Sequence, residues 1–252
     1  MTTRTDLIHL ADTEVIHLEE TASTNAFLRQ QHAEAPIVAA QAEYQTNGRG
    51  QGTNTWESER GKNLLFSILV HPTTLPVDQQ YILSEAVALT YKQVLDQYTD
   101  GITVKWPNDI YWNDRKISGT LIETNLAAGH IKDFIIGTGI NINQERFVSD
   151  APNPVSLRQI LGREVDKQTI FDKILKTFIG YYALVTEGCY DEISCRYHAA
   201  LYRRSGFHAY RDASGDFQAE LVKVCNDGHL VLRDSSGNER RYAFKEVMFI
   251  IR

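Results

Sequence analysis

The sequence predicts a layered α/β or α+β sheet over residues 1–200, followed by a small β-rich domain over residues 201–252. Two observations support this division. Up to about residue 200, apolar runs rich in β-branched residues alternate with segments of helical periodicity, as in strands and helices that share one sheet. Beyond that point, short strand-like runs alternate with glycine-containing turns, which is typical of a small barrel or sandwich.

The individual elements follow from local patterns. Apolar residues at helical spacing predict three helices, at Asn25–His32, Ser84–Tyr98 and Gln168–Val185. Thr24 is the expected cap of the first helix, and Thr169 followed by Asp172 is the start signal of the third. Apolar β-branched runs predict strands at Ile37–Ala42, Asn63–Val70, Ile102–Lys105, Lys116–Glu123 and Phe134–Gly139. The β-rich part contains predicted strands at Gly206–Tyr210, Phe217–Cys225, Leu230–Arg233 and Arg240–Ile251.

Composition disfavours several classes of protein. The net charge of the 252 residues is -6, which argues against broad nucleic-acid binding by the whole surface. No apolar run approaches the roughly 20 residues of a membrane helix, and the N-terminus lacks the apolar stretch of a signal peptide. We therefore expect a cytoplasmic protein without a membrane partner. Cys189, Cys195 and Cys225 form no Cys-x-x-Cys pair, which disfavours a disulfide framework or a zinc site.

A glycine-rich loop follows the strand predicted at Ile37–Ala42. Gly48, Gly50 and Gly52 surround Arg49 and precede Trp56. Glycines let the backbone approach an anion closely, and a guanidinium offers a planar donor fork to phosphate or carboxylate. Taken alone, the segment is equally consistent with a simple turn, and it lacks the Gly-Lys-Ser/Thr of a Walker loop.

Three further segments place polar residues or glycines at strand ends, a common address for ligand groups. They contain Lys105, Asn108 and Asp109, then Lys116 and Gly119, and finally Gly137, Gly139 and Asn141. Pro107 ends its strand, and we expect the neighbouring Trp106 to lie in the core. On its own Lys116 has the character of a solvated surface residue, and the last segment that of a tight turn.

In their order and spacing, these segments together resemble the motifs of biotin–protein ligases. The ordered set is Ser23-Thr24-Asn25, Gly48-Arg49-Gly50, Trp56, Lys105-Trp106-Pro107-Asn108-Asp109, Lys116-Ile117-Ser118-Gly119 and Gly137-Thr138-Gly139-Ile140-Asn141. The Lys-Trp-Pro-Asn-Asp run followed by Lys-x-x-Gly is the most specific part. The resemblance implies an α+β fold with a seven-stranded mixed sheet, related to class II aminoacyl-tRNA synthetases, and a small C-terminal SH3-like β-barrel.

The resemblance also implies a biotin–[biotin carboxyl-carrier protein] ligase that works in two half-reactions. Biotin attacks the α-phosphate of ATP to give biotinyl-5′-AMP, and a lysine of a carrier domain, such as that of acetyl-CoA carboxylase, then takes the biotin. ATP and biotin are the expected substrates, and Mg²⁺ is expected because the phosphates need charge neutralisation. The expected partner is a biotin carboxyl carrier protein or domain, and the expected form is a monomer or weak homodimer that does not bind DNA.

Residue roles are carried over from the matching motif positions. Lys116 and Arg49 are the expected catalytic cations, and Asp109 is expected to hold the metal directly or through water. The expected biotin contacts are Ser23, Thr24, Asn25, Gln45, Gly48, Arg49, Gly50, Trp56, Lys116 and Gly119. The expected contacts to ATP or the adenylate are Arg49, Lys105, Asn108, Asp109, Lys116, Gly137, Gly139 and Asn141.

The sequence departs from the family pattern in three places. The family loop Gly-Arg-Gly-Arg-Arg-Gly-Arg-x-Trp here lacks three arginines, because Gln51, Gly52 and Asn54 stand in their positions. We expect weaker retention of the adenylate and a more mobile loop, unless Arg60 or Lys62 folds back to replace the charge. The segment 151–156 has no aromatic residue to stack on adenine. Only about 15 residues precede the first motif, too few for a three-helix DNA-binding module.

Three alternatives remain at this point. A lipoate–protein ligase would share the fold and the adenylation chemistry, although the Lys-Trp-Pro-Asn-Asp and Gly-Arg-Gly motifs favour biotin. A biotin-sensing transcriptional repressor is disfavoured by the net charge and by the short segment before the first motif. A non-catalytic biotin sensor is disfavoured because both Lys116 and Arg49 are present.

Overall fold

A computed structural model describes residues 13–31, 35–127, 130–149 and 152–251. Within them, the larger sheet contains β1 (Thr13–Leu18), β2 (Ile37–Ala42), β3 (Leu64–Val70), β4 (Ile102–Lys105), β5 (Asp109–Trp112), β6 (Arg115–Ala127) and β7 (His130–Ile140). The seven strands lie in the order β1-β2-β3-β7-β6-β5-β4. Strands β1 and β2 run parallel, whereas the other neighbours pair antiparallel. The predicted mixed seven-stranded sheet is confirmed.

The helices cover both faces of this sheet. They are α1 (Thr24–Arg29), α2 (Tyr81–Leu95), α3 (Leu157–Leu161), α4 (Lys167–Thr186) and α5 (Tyr190–Ala200). Phe66 of β3 packs edge-on against Tyr91 of α2 at 6.0 Å and against Phe171 of α4 at 5.3 Å. On the opposite face, Leu28 of α1 joins a second apolar cluster with Val38 of β2. Strand β2 is buried along its whole length because alternate residues face the two clusters.

The C-terminal part forms a second, five-stranded antiparallel sheet. Its strands are β8 (His208–Asp212), β9 (Gly215–Val224), β10 (Leu230–Asp234), β11 (Glu239–Tyr242) and β12 (Met248–Phe249), in the order β11-β10-β9-β8-β12. Trp106 connects the two sheets, because its indole Nε1 donates a hydrogen bond of 2.9 Å to the Gly228 carbonyl. The small β-rich unit implied by the family resemblance is therefore present.

The residues predicted to mark the starts of two helices are wrong. Ser23, not Thr24, occupies the N-cap position of α1, where its backbone is extended, and the Thr24 hydroxyl donates instead to Gln45. Asp166, not Thr169, caps α4 by accepting hydrogen bonds from the first backbone amides of the helix. A carboxylate at this position also interacts favourably with the positive end of the helix dipole.

Other boundaries also differ. Helix α2 begins at Tyr81 rather than Ser84, and the strand predicted at Arg240–Ile251 is broken into β11 and β12. The break is a turn in which Lys245 has a φ of +72°. The elements β1, β5, α3 and α5 were not predicted. His32, the predicted end of the first helix, lies outside the described residues, as does Ala151 of the segment 151–156.

No helix in the described part of the chain combines the length and apolar character needed to span a membrane. The three cysteines are free thiols.

Candidate active site

A pocket of about 750 Å³ lies on the face of the larger sheet that α1 covers. Every site residue predicted from the resemblance lines this pocket except Gly48, which is buried against the Trp56 backbone. Further lining residues come from β5, β7 and the turn before β12, and include Tyr111, Thr138 and Phe244. The fold thus brings together residues that are far apart in the sequence, from Ser23 to Phe244.

One part of the pocket carries a carboxylate between two lysines. The Lys116 ammonium lies 2.8 Å from Asp109 Oδ2. Tyr111 is the cross-strand partner of Lys116, and Asp109 lies two residues before it, so these side chains project from one face of the β5–β6 hairpin. The Asp109 carboxylate therefore positions the Lys116 ammonium and offsets the loss of water around it.

Lys105 is the second lysine and lies across the β4–β5 ladder from Asp109. Its ammonium lies 5.3 Å from the Tyr111 ring centroid and 4.7 Å from that of Phe249. Burial lowers the pKa of Lys105, and the opposing effect of the Asp109 charge does not restore it. The result is a weakly hydrated cation between aromatic faces, next to the Lys116–Asp109 pair.

The turn that carries Pro107 is fixed from several sides. The Pro107 carbonyl accepts hydrogen bonds from the Tyr81 hydroxyl at 3.0 Å and from the Tyr197 hydroxyl at 2.9 Å. Burial raises the pKa of both tyrosines, so both hydroxyls remain protonated donors at neutral pH. Trp106 is 3% exposed, which confirms its predicted place in the core. Lys105, Asp109 and Lys116, which we call the lysine cluster, consequently rest on a rigid support.

A buried polar network lies beside the pocket at α1. Ser67 Oγ lies 2.6 Å from Thr24 Oγ1 and 2.6 Å from Asn25 Oδ1. The Ser67 hydroxyl is the donor in both contacts, so its single proton is shared between Thr24 Oγ1 and Asn25 Oδ1. The Asn25 amide donates in turn to Glu123 at 2.8 Å, and Gln45 Oε1 accepts from the Thr24 backbone at 2.8 Å. We call Thr24, Asn25, Gln45 and Ser67 the polar niche.

Glycines form the floor of the pocket between the polar niche and the lysines. A Cβ on Gly137 would overlap Asn25, and one on Gly139 would overlap the Trp56 indole. A Cβ on Gly119 would lie 2.9 Å from Trp56 Cζ3. The Trp56 indole lies against Gly119 and Gly139 and lines the pocket, and its buried Nε1 has no hydrogen-bond partner among the described residues.

The Gly48–Trp56 loop is a short hairpin at the pocket mouth. Gly50 N donates to Asn54 O at 2.8 Å, and Trp56 N donates to Gly48 O at 3.0 Å. Arg49 lines the pocket from this hairpin and is exposed.

Arg60 and Lys62, the two cations expected to replace the charge of the missing arginines, interact with other parts of the protein. Arg60 pairs with Glu20 and lies 4.6 Å from the Tyr44 ring, and Lys62 lies 3.4 Å from Glu164. Neither side chain is directed at the loop tip.

The end of this loop is tied to a later segment by Glu57. Its carboxylate accepts hydrogen bonds of 2.9 Å from the backbone amides of Val148 and Ser149, and one of 3.2 Å from the Gln144 amide. Burial acts to raise the pKa of Glu57, but the bonds from Ser149, Val148 and Gln144 outweigh it, and the net pKa is lowered. The ionised form of Glu57 thus stabilises the base of the loop.

Few of the lining residues are candidates for contacts to adenine or to a metal ion. Asn108 Nδ2 donates to Thr120 O at 3.2 Å, whereas the buried Asn141 Oδ1 has no partner within the described chain. No group of three or more His, Cys, Asp or Glu residues surrounds a common point in the described ranges. Asp109 is a single carboxylate, which suits a Mg²⁺ ion held chiefly by substrate phosphates and water.

Sequence reasoning missed Ser67, Tyr111 and Phe244. Ser67 had a signal, because it is the polar residue within the apolar strand Leu64–Val70 and is fully buried. A buried hydroxyl in such a strand needs a partner, and here the partners belong to the polar niche. Phe244 had no local signal, since only the packing of the second sheet brings it to the pocket.

Comparison with known proteins agrees with this geometry. Residues 14–141, half of the chain, match the model of the Biotin/lipoate A/B protein ligase family. The chain belongs to this family. The family membership confirms the resemblance in the motifs, all of which lie within the matched residues.

Individual relatives cover more of the chain. The Bifunctional ligase/repressor BirA of Bacillus subtilis (strain 168) is 28% identical over 209 residues, which are 80% of this chain and 63% of that protein. The BirA protein of Escherichia coli (strain K12) is 32% identical over 158 residues, 61% of this chain and 49% of that protein. The chain thus spans about half to three-fifths of the length of these two relatives.

Among solved structures, the biotin protein ligase from Aquifex aeolicus in complex with biotin and ATP superposes with a TM-score of 0.79. It is 24% identical in sequence, and the match covers 95% of this chain and 99% of that chain. At this level of identity the match concerns the fold alone, and it confirms the predicted biotin ligase-like fold.

Proposed function

We propose that this protein is an ATP-dependent ligase that activates biotin as biotinyl-5′-AMP and transfers it to a lysine of a biotin carrier domain. The supporting observation is the Lys116–Asp109 pair at 2.8 Å, set in one pocket with a buried polar niche. Gly137 lies against Asn25 and Gly139 against Trp56, a two-residue step along β7 of about 7 Å. This distance suits a ligand with a polar ring and an apolar chain that ends in a carboxylate.

In the first half-reaction, a biotin carboxylate oxygen attacks the α-phosphorus of ATP, and the bond to pyrophosphate breaks. The two reactants are both anions, so the site has to supply positive charge at fixed positions. Lys116 is our candidate for the principal cation, held by Asp109, and Arg49 for a second cation at the pocket mouth. A Mg²⁺ ion held by the triphosphate and Asp109 would neutralise further phosphate charge.

In the second half-reaction, the amine of the carrier lysine attacks the acyl carbon of biotinyl-5′-AMP. The bond between that carbon and the AMP oxygen breaks, AMP leaves, and the nitrogen loses a proton. Lys105, Lys116 and Arg49 would stabilise the phosphate of the departing AMP. Asn108 and the unpartnered Asn141 Oδ1 are our candidates for contacts to the adenosine.

The polar niche favours biotin over lipoate as the substrate. The ureido group of biotin offers both N–H donors and a carbonyl acceptor, whereas the dithiolane ring of lipoate offers neither. The Ser23 hydroxyl makes no capping bond at α1 and, with Thr24 and Gln45, lines the pocket. A buried polar group left without a partner costs about 1–3 kcal/mol, so an apolar ring that covered the Ser23 hydroxyl would bind less well than a ring with polar groups.

The proposal also covers the organisation of the chain. Residues 1–200 would form the biotin- and ATP-binding catalytic domain, and residues 201–252 the SH3-like domain that closes one wall of its pocket. A carboxylase carrier domain as the partner, a monomer or weak homodimer, and a cytoplasmic location belong to the same proposal.

The test is incubation with ATP, Mg²⁺, biotin and the carrier domain of an acetyl-CoA carboxylase, followed by avidin blotting and by measurement of released pyrophosphate. We expect biotin-dependent pyrophosphate release and a labelled carrier lysine, both lost in the Lys116→Ala variant. A parallel reaction with lipoate and a lipoyl carrier domain should give no transfer. Transfer of lipoate but not biotin would establish the lipoate alternative and overturn the proposal.

A further inference from the structure

We infer that Lys245, in the turn between β11 and β12, supplies the Gly48–Trp56 loop with the positive charge that holds the phosphate of the acyl-adenylate. The inference rests on the proposed function, because it names an additional residue for that same site. It assigns to the C-terminal sheet a direct part in retaining the intermediate.

Lys245 belongs to the turn that breaks the predicted last strand. The turn closes through a hydrogen bond of 3.2 Å from Glu246 N to Ala243 O. The preceding residue, Phe244, lines the pocket and packs on Trp106 with ring centroids 6.1 Å apart. The turn therefore lies at the pocket rim, on the side fixed to the Trp106-Pro107 segment.

The Lys245 side chain lies directly over the loop tip. A Cβ placed on Gly52 would be 2.5 Å from Lys245 Nζ and 3.8 Å from its Cε. Gly52 stands where the family pattern has an arginine, and its neighbours Gln51 and Thr53 line the pocket. The ammonium thus occupies the space in which the missing side chain would begin, so the charge is present at the same place but comes from another part of the chain.

The charge of Lys245 is available for a ligand. Among the described residues its ammonium has no carboxylate partner, and the nearby Glu246 carboxylate accepts instead from Ala243 N at 2.7 Å. Apart from the loop, its ammonium lies near the Phe244 ring, 5.9 Å from the ring centroid. Arg60 and Lys62, in contrast, are paired with Glu20 and Glu164.

The backbone conformation of Lys245 also supports its assignment to the loop tip. Its φ of +72° lies in the left-handed region, where a side chain is disfavoured and glycine or asparagine is the usual residue. A lysine at this position therefore works against the conformation of its own turn. An ammonium directed at the loop tip gives that lysine a role that glycine could not fill.

The test measures the dissociation rate of biotinyl-5′-AMP, added as the finished compound so that no catalysis is needed. We expect Lys245→Ala to dissociate about ten-fold faster, which is typical of one lost charge-assisted contact. Lys245→Arg should retain the slow rate, and Lys223→Ala, which removes an exposed lysine from the same sheet, should leave it unchanged. An unchanged rate in Lys245→Ala overturns the inference.

A second arm uses Gln51→Arg, which restores a loop arginine. In the Lys245→Ala background we expect this substitution to slow dissociation back toward that of the unsubstituted protein, but alone to have little effect. Equal effects in both backgrounds would mean that the two charges act independently, and would overturn the inference. Raised salt should speed dissociation from the unsubstituted protein more than from Lys245→Ala, a difference that a purely structural role would not produce.

A third variant separates charge from folding. Lys245→Gly removes the charge and suits the left-handed backbone, so its melting temperature should not fall while its adenylate dissociates as fast as in Lys245→Ala. If the unsubstituted protein does not bind biotinyl-5′-AMP, the proposed function fails and this inference with it. If it binds the compound and all Lys245 variants release it equally slowly, only the inference fails.

Discussion

The β5–β6 hairpin and the Gly48–Trp56 loop both present cations to one pocket, but they are held very differently. The hairpin lies within the seven-stranded sheet, and the adjoining Pro107 carbonyl is fixed by two tyrosine hydroxyls. The loop is an exposed hairpin closed by a few backbone bonds. The difference teaches that one pocket can combine a rigidly supported charge with a charge on a weakly held loop; under the proposed function the first would serve the chemistry and the second would help to retain the intermediate.

The largest effect should come from the rigid part. We predict that Lys116→Ala lowers the rate of adenylate formation by about two orders of magnitude or more, as loss of a preorganised charge typically does. The measurement is pyrophosphate release with saturating biotin and ATP. Lys176→Ala, which removes an exposed lysine from α4, should retain the full rate.

A rate for Lys116→Ala within a few-fold of the unsubstituted protein would remove Lys116 from the chemistry. The contrast between a rigid catalytic part and a movable retaining part would then have to be abandoned. An effect of similar size in Lys105→Met would instead show that the whole lysine cluster acts as a unit.

The next largest effect is expected at the glycine floor of the pocket, where Trp56 of the loop contacts Gly139 of the sheet. We predict that Gly139→Ala weakens biotin binding by about ten-fold or more, because a Cβ there overlaps the Trp56 indole and narrows the pocket. Calorimetric titration with biotin measures this affinity. Gly180→Ala in α4 has open space for its Cβ and should leave binding unchanged, with a small gain in stability.

Should Gly139→Ala bind biotin normally, Trp56 must leave the floor at little cost. The loop would then be even more loosely held than its few hydrogen bonds indicate. A shift in Trp56 fluorescence on addition of biotin would report this movement directly.

A smaller effect is expected in the polar niche. We predict that Ser67→Ala weakens biotin binding by about five- to ten-fold, which corresponds to one neutral hydrogen bond of about 1 kcal/mol. The substitution removes the link between Thr24 and Asn25 but no direct ligand contact. ATP binding in the absence of biotin should not change, and a loss of both affinities would indicate a general defect of folding.

The smallest effect tests how the loop base is held. The pKa of Glu57 is lowered in the folded protein, so its stabilising effect is complete above its ordinary value of 4.5 and is lost as the pH falls through the lowered pKa. We predict that the protection factors of the Val148 and Ser149 amides, which correct for the intrinsic pH dependence of hydrogen exchange, fall over this acid range. Glu57→Gln should exchange faster already at neutral pH, whereas Glu59→Gln should behave like the unsubstituted protein.

Local patterns predicted a layered sheet with helices, and the family resemblance supplied its seven-stranded mixed form and most of the pocket residues. Lys105, Asp109, Lys116 and Gly119 lie within 15 residues on the consecutive antiparallel strands β4, β5 and β6, so short hairpins bring them together. Their spacing also matches a family motif. The helix start at α1 was misassigned because Ser23 and Thr24 are equally good capping residues, and only the buried network with Gln45 decides between them.

The rest depended on contacts between distant parts of the chain. The run Arg240–Ile251 has the composition of one strand, and nothing local reveals that Lys245 adopts a left-handed conformation within it. Its approach to Gly52 is set by how the second sheet packs on Trp106. Tertiary packing therefore decided both the break in the strand and the placement of the charge.

The position of Phe244 in the pocket wall has a consequence for how the protein is made. Ser23 and Gly137 leave the ribosome long before Phe244, so a nascent chain carries most of the site without the wall that completes it. A chain interrupted before this residue would display the lysine cluster on an open surface. Competence to retain a reactive intermediate would then arise late in translation, only after the second sheet has packed against the first.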